Sequence, residues 1–151
     1  MNNKEIVRRV FEEGFNKGEL AFADQIMAPN HVAHDPNNPN MNGAEGMKQI
    51  IRMYRGAFPD MKMTVDDQIE SGDRVVTRWT SRGTHKGKLM EMAPTNKSVT
   101  VSGITIDRLQ NGKIVESWVN WDAAGMMTQL TGKSMMQERP HNGGRASQPA
   151  E

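Results

Sequence analysis

The sequence predicts an α+β domain, and three observations carry that prediction. Through the first third of the chain apolar residues recur every three or four positions, the helical period. Through the second half they tend to alternate with polar ones, the strand period. Turn formers such as Ser71-Gly72-Asp73 and Asn111-Gly112 separate the strand-like runs at hairpin spacing. Helices gathered at one end of a chain and hairpin-linked strands at the other give an antiparallel sheet with helices on one face.

The first helix rests on Ile6, Val7, Val10, Phe11 and Phe15, which form one stripe; Asn2 or Asn3 can cap it and Gly18 can stop it. A short second helix is expected over Leu20–Met27. The run Pro29–Asn40 (PNHVAHDPNNPN) is dense in turn formers and reads as a connection. A third helix is expected over Ala44–Ala57, with Met47, Ile50, Ile51, Tyr54 and Phe58 on its buried side and Pro59 ending it. Four strands follow, at 61–70, 74–85, 98–109 and 113–122, with residues 86–97 as a loop. Ala123–Leu130 reads as a closing helix. The domain spans 1–132, and 133–151 reads as a polar tail, most clearly from Gln137 (QERPHNGGRASQPAE).

With Asn111 and Gly112 as a two-residue turn, Gln110 faces Lys113 and Leu109 faces Ile114. Strict alternation then opposes Asp107 to Glu116, Thr105 to Trp118, Gly103 to Asn120 and Val101 to Asp122. Ile114, Glu116, Trp118, Asn120 and Asp122 share one face, apolar at the turn and polar at its far end, as a cavity open to solvent requires. A slip of one residue would invert both faces.

Composition excludes several function classes. The 19 Lys and Arg against 18 Asp and Glu leave no basic field for nucleic acid. With no Cys, disulfides, thiolate chemistry and Cys-based metal sites are excluded. The start MNNKEIVRRVFEEG lacks a secretory apolar stretch, and no window approaches the roughly 20 apolar residues of a membrane span. A cytoplasmic protein without membrane contact is expected. Phosphate loops, the GxSxG elbow and dinucleotide fingerprints are missing. The 13 Met either replace Leu in the core or line an adaptable cavity.

Asp122 ends the bulky run WVNWDAAGMM. It can cap the last helix, or, in an apolar pocket beside Trp118, act as an acid/base whose neutral form burial favours. His34 (HVAHDP) and His85 (RWTSRGTHKG) are further catalytic candidates. His31 and His141 fall in turn-like or tail segments and are set aside. His34, His85 and Asp122 lack the compact spacing of a metal site, so no metal is expected. Arg78, mid-strand, needs a partner, either Glu116 or a substrate carbonyl or carboxyl. Tyr54 and Trp79 line a pocket or fill the core. Asp107 and Asp73 border turns or outward positions and are poor second carboxylates.

Four features in order, FPD at 58–60, RxxxxGTHxG from Arg78, PT at 94–95 and GKIVESWxxWD from Gly112, resemble the SnoaL-like polyketide cyclases of the nuclear transport factor 2-like superfamily over about residues 4–131. The resemblance implies a cone-shaped α+β barrel: three N-terminal helices on a curved, mainly antiparallel sheet of four to six strands. It implies a homodimer or higher oligomer, a deep pocket and no cofactor. The substrate is then a small hydrophobic carbonyl compound. An Asp ending the last long strand removes a proton α to a carbonyl, and the enolate closes a ring by intramolecular aldol addition. Asp122 holds the matching position, and His34 and His85 match pocket-associated positions. Tyr54, Arg78, Trp79, Trp118 and Asn120 are the expected substrate contacts. Two alternatives share the fold: a non-enzymatic small-molecule binding protein, and a hydrolase of the epoxide type, for which a convincing second Asp is wanting.

Overall fold

A computed structural model describes residues 1–133. The tail expected beyond them lies outside the described residues. Four α-helices and five strands follow in the order α1 (Asn3–Arg9), α2 (Ala21–Ile26), β1 (Met27–His34), α3 (Gly43–Ala57), β2 (Lys62–Ser71), β3 (Arg74–Thr84), β4 (Ser98–Gln110), β5 (Lys113–Trp121) and α4 (Ala123–Thr131). Asn2 caps α1 in a capping box with Glu5. The helix then widens into a π-helical stretch, Val10–Phe15, where Asn16 N–H donates to Phe11 C=O five residues back.

The sheet is curved and unclosed, in the order β1-β5-β4-β3-β2. All neighbouring pairs are antiparallel except β1 with β5. β1 is a correction to the expected connection at 29–40: half of that segment is an edge strand. The edge position explains how it tolerates Pro29, which has no N–H to give a ladder, and the pairing is irregular between Met27 and Val32. The inner face of the sheet packs against the helices in one core that includes Val7, Phe11, Phe22, Ile51, Val75 and Leu130.

The last hairpin decides what the cavity contains. Asn111 and Gly112 both take positive φ, as the expected turn demands, and the pairs Gln110–Lys113 and Leu109–Ile114 form. The next pair is Arg108 with Glu116, so Val115 is an extra residue, a β-bulge. Beyond it Asp107 opposes Ser117, Thr105 opposes Val119 and Gly103 opposes Trp121, each one residue away from strict alternation. Ser117, Val119 and Trp121 therefore face the cavity. The physical gain is clear at Glu116. Alternation without the bulge would bury its carboxylate. On the outer face it instead takes hydrogen bonds from His34 at 2.7 Å and Arg108 at 3.0 Å, which hold it below the usual carboxylate range.

Candidate active site

Between the curved sheet and the helices lies a cavity of about 140 Å³. Its wall is mostly apolar and rich in methionine: Met41, Met47, Met61, Met63 and Met126 all line it, beside Phe11 and Phe58. Thioether side chains without branching adapt to more than one ligand shape. Of the two readings of the Met excess, the cavity uses the second as well as the first.

One polar cluster enters this apolar space from β1, β4 and β5. His31 and Asp107 are 3 % and 5 % exposed. The backbone N–H of Gly43 donates to His31 Nδ1 at 2.9 Å. An amide can only donate, so Nδ1 carries the lone pair and Nε2 carries the proton. Nε2–H then donates to Ser117 Oγ at 3.0 Å, and the Ser117 hydroxyl donates to Asp107 Oδ1 at 2.6 Å. The chain of donors runs in one direction and ends on a carboxylate. Among the described residues no protein donor reaches Asp107 Oδ2, and Asp107 lines the cavity.

Burial sets the charge states. It pushes Asp107 up to about 6, against the smaller opposing effect of the Ser117 bond. It pushes His31 down to about 4, against a weaker pull from Glu116. At neutral pH the site holds a carboxylate and a neutral imidazole. The two groups also pull stability in opposite directions. Asp107 contributes stability that is full below pH 3.8 and lost as pH rises through about 6. His31 contributes stability that is full above pH 6.5 and lost as pH falls through about 4. Asp107→Asn should therefore gain on the parent as pH rises between about 4 and 6, by up to roughly 3 kcal/mol. Urea unfolding at each pH measures this. A constant difference across the range would exclude a raised Asp107.

A second polar group lines the cavity from α3 and the segment after β1. Tyr54 O–H donates to Asn38 Oδ1 at 3.3 Å, and Asn38 Nδ2 donates to Asp35 Oδ2 at 3.1 Å. Burial raises Tyr54 above its usual range, so its phenol stays neutral. Trp121 meets Tyr54 edge-on, ring centres 6.0 Å apart.

The structure does not bring Asp122, His34 and His85 together. Asp122 is exposed, and its Oδ1 accepts from Gly125 N–H at 2.9 Å: it is the cap of α4, the structural alternative the sequence left open. His34 lies on the outer face of the sheet, stacked on Trp118 at 5.4 Å and bonded to Glu116. His85 is fully buried; its Nδ1 accepts from Thr95 N–H at 3.2 Å, and it packs against Phe58. It pins the loop between β3 and β4. Tyr54 and Trp79 do line the cavity. Arg78, Asn120 and Asp122 border a shallow depression on the outer face, and Arg78 pairs loosely with Asp66 at 3.8 Å, not with Glu116. Trp118 is also outside, under the Arg74 guanidinium. The groups that sequence reasoning set aside, Asp107 and His31, are buried titratable groups that line the cavity. The bulge accounts for the inversion on β5, and the unread strand β1 accounts for His31.

Among the described residues no group of three or more His, Cys, Asp or Glu could hold a metal ion, and no helix is long and apolar enough to cross a membrane.

No curated protein matches the chain. Similar solved structures include a candidate SnoaL-like polyketide cyclase from Jannaschia sp. CCS1, 24 % identical, TM-score 0.78, covering 87 % of this chain and 92 % of that one. TsrD from Streptomyces laurentii is 24 % identical, TM-score 0.75, covering 88 % and 100 %. These two establish the fold. IdmH from Streptomyces antibioticus, a candidate polyketide cyclase, is 31 % identical, TM-score 0.72, covering 86 % and 99 %. The sequence pattern of the SnoaL-like polyketide cyclases matches residues 5–130. With the fold, the apolar cavity and that match in agreement, the chain belongs to the SnoaL-like polyketide cyclase family.

Proposed function

We propose that the protein is a cyclase-type lyase or isomerase that removes a proton α to a ketone in its cavity, with Asp107 as the base. The reading rests on one observation: a buried carboxylate, raised to about 6, with one oxygen bonded and the other open to an apolar cavity. A base poised near neutral pH combines a high ionised fraction with a useful driving force. Asp107 Oδ2 takes the α-proton, and the electron pair passes to the carbonyl oxygen as an enolate. The enolate carbon then attacks a second carbonyl of the same molecule, and the resulting alkoxide takes the proton back from Asp107. The expected aldol ring closure is kept, and its proton carrier moves from Asp122 to Asp107. Ser117 holds the carboxylate's other oxygen and His31 holds Ser117, so both are positioning residues. The cavity suits a compact apolar ketone: a space of about 150 Å³ holds a benzene ring, and the cavity's open side leaves room for a second fused ring.

2-Indanone is a suitable probe, with hydrogen–deuterium exchange at its α-carbons followed by NMR. Exchange should be accelerated by the protein and should rise with pH through a single ionisation near 6. A protein that binds 2-indanone, shown by a raised melting temperature, without accelerating exchange at any pH would be a binding protein only.

A further inference from the structure

We infer that Thr105 supplies the hydrogen bond that stabilises the substrate oxyanion, and that Trp79 arms it. This rests on the reading of Asp107 as base and adds the other half of the reaction. Trp79 Nε1–H donates to Thr105 Oγ1 at 3.0 Å. An indole nitrogen is a donor only, so the hydroxyl oxygen accepts and its own proton is left to give. Among the described residues nothing accepts that proton. Thr105 is 8 % exposed, Trp79 is 6 % exposed, and both line the cavity. The hydroxyl can therefore satisfy its donor only with something inside the cavity.

Thr105 and Asp107 lie two positions apart on β4, so they face the same side about 7 Å apart along the strand. One carries a free donor and the other a free acceptor. Asp107, held through Ser117 and His31, presents negative charge to the cavity, and the chain Trp79–Thr105 presents a polarised O–H. A hydrogen bond received by the hydroxyl strengthens the one it gives. This pairing fits a ketone whose carbonyl oxygen meets Thr105 while its α C–H meets Asp107. No proton is transferred by Thr105; its hydrogen bond shortens as charge collects on the oxygen. A preformed donor in a mostly apolar cavity acts on the transition state more than on the neutral ketone. The ligand class is thus an enolisable ketone or its enolate, with an apolar body in contact with the methionines.

Thr105→Val removes the O–H and keeps the shape, and Thr105→Ser keeps the O–H. Exchange of 2-indanone should fall about 100-fold in the Val variant, mainly in kcat, and recover to within about threefold in Ser. A second readout separates the donor from the base. In Asp107→Asn, whose neutral amide imitates the protonated acid, 4-nitrophenol should bind as its phenolate, seen by its absorbance. Adding Thr105→Val should weaken that binding at least tenfold, the size of one hydrogen bond to a charged oxygen. Should Thr105→Val disturb folding by stranding the Trp79 N–H, Thr105→Cys, a weak donor of similar size, gives the same comparison. Parent-like exchange and undiminished phenolate binding in folded Val or Cys variants would overturn the proposal. Full exchange in Asp107→Asn would instead sink the base assignment and leave the phenolate test of Thr105 standing.

Discussion

Replacing Asp107 with Asn should lower α-proton exchange by about 10³-fold and leave the protein folded, with no loss of stability at pH 8. The two halves of this expectation have separate causes. A general base contributes roughly two to four orders of magnitude, and an amide has no basic lone pair to replace it. Stability moves the other way. At pH 8 the parent holds a carboxylate that burial disfavours, since its ionisation is shifted up to about 6. Asn keeps the acceptor for the Ser117 hydroxyl at Oδ1, removes the charge and so removes that cost. Melting curves and NMR exchange on the same samples read both. A variant that is stable and inactive fits a functional carboxylate, whereas one that exchanges at the parent rate means the carboxylate serves another purpose.

Gly103→Ala should be the most damaging small substitution in the sheet, at about 3 kcal/mol, a fall of roughly 10 °C in melting temperature. Gly103 sits at the inner face of β4, opposite Trp121. A Cβ there would lie 2.7 Å from Trp121 Cβ and 2.8 Å from Trp79 Cε2, inside van der Waals contact on both sides. Neither indole can retreat easily. Trp79 is held by its bond to Thr105 and packed near Phe11, and Trp121 is braced edge-on by Tyr54. The methyl group must therefore displace a ring or flatten the strand. Differential scanning calorimetry measures the loss. A change below about 1 kcal/mol would mean that the two indoles have room that their contacts do not show.

The helical half of the molecule was legible because its periods are strong. The stripe Ile6-Val7-Val10-Phe11 and the cap at Asn2 lie where the pattern puts them, and α3 begins within a residue of its expected start. The hairpin turn was legible too, since Asn-Gly is a local signal. The inward placement of Asp107 and His31 was not, for three physical reasons. β1 draws its stability from pairing to β5 and from the core, while its own residues include Pro29 and Asn30, which speak for a turn. The bulge at Val115 is a tertiary choice, driven by the cost of burying Glu116, and no local residue announces it. β4 is apolar on both sides, with Ile104 and Ile106 outside and Val99, Val101 and Leu109 inside, so alternation alone could not say which way Asp107 points. Asp122 caps α4, one of the two roles its place before Ala-Ala-Gly leaves open, and Tyr54 and Trp79 line the cavity, where the pattern alone could not choose between pocket and core.

The extra residue at Val115 also bears on how related chains can be compared. Distance from the hairpin turn ceases to be a reliable coordinate once the bulge is passed, because every later position on β5 has changed sides. Two sequences that align without a gap through this strand can still present opposite sets of side chains to their cavities if one has the bulge and the other does not. Carrying a residue's role from one chain to another along β5 is therefore sound only after the parity of each strand has been established. The facing residues on β4, which lie before the turn, are the safer markers.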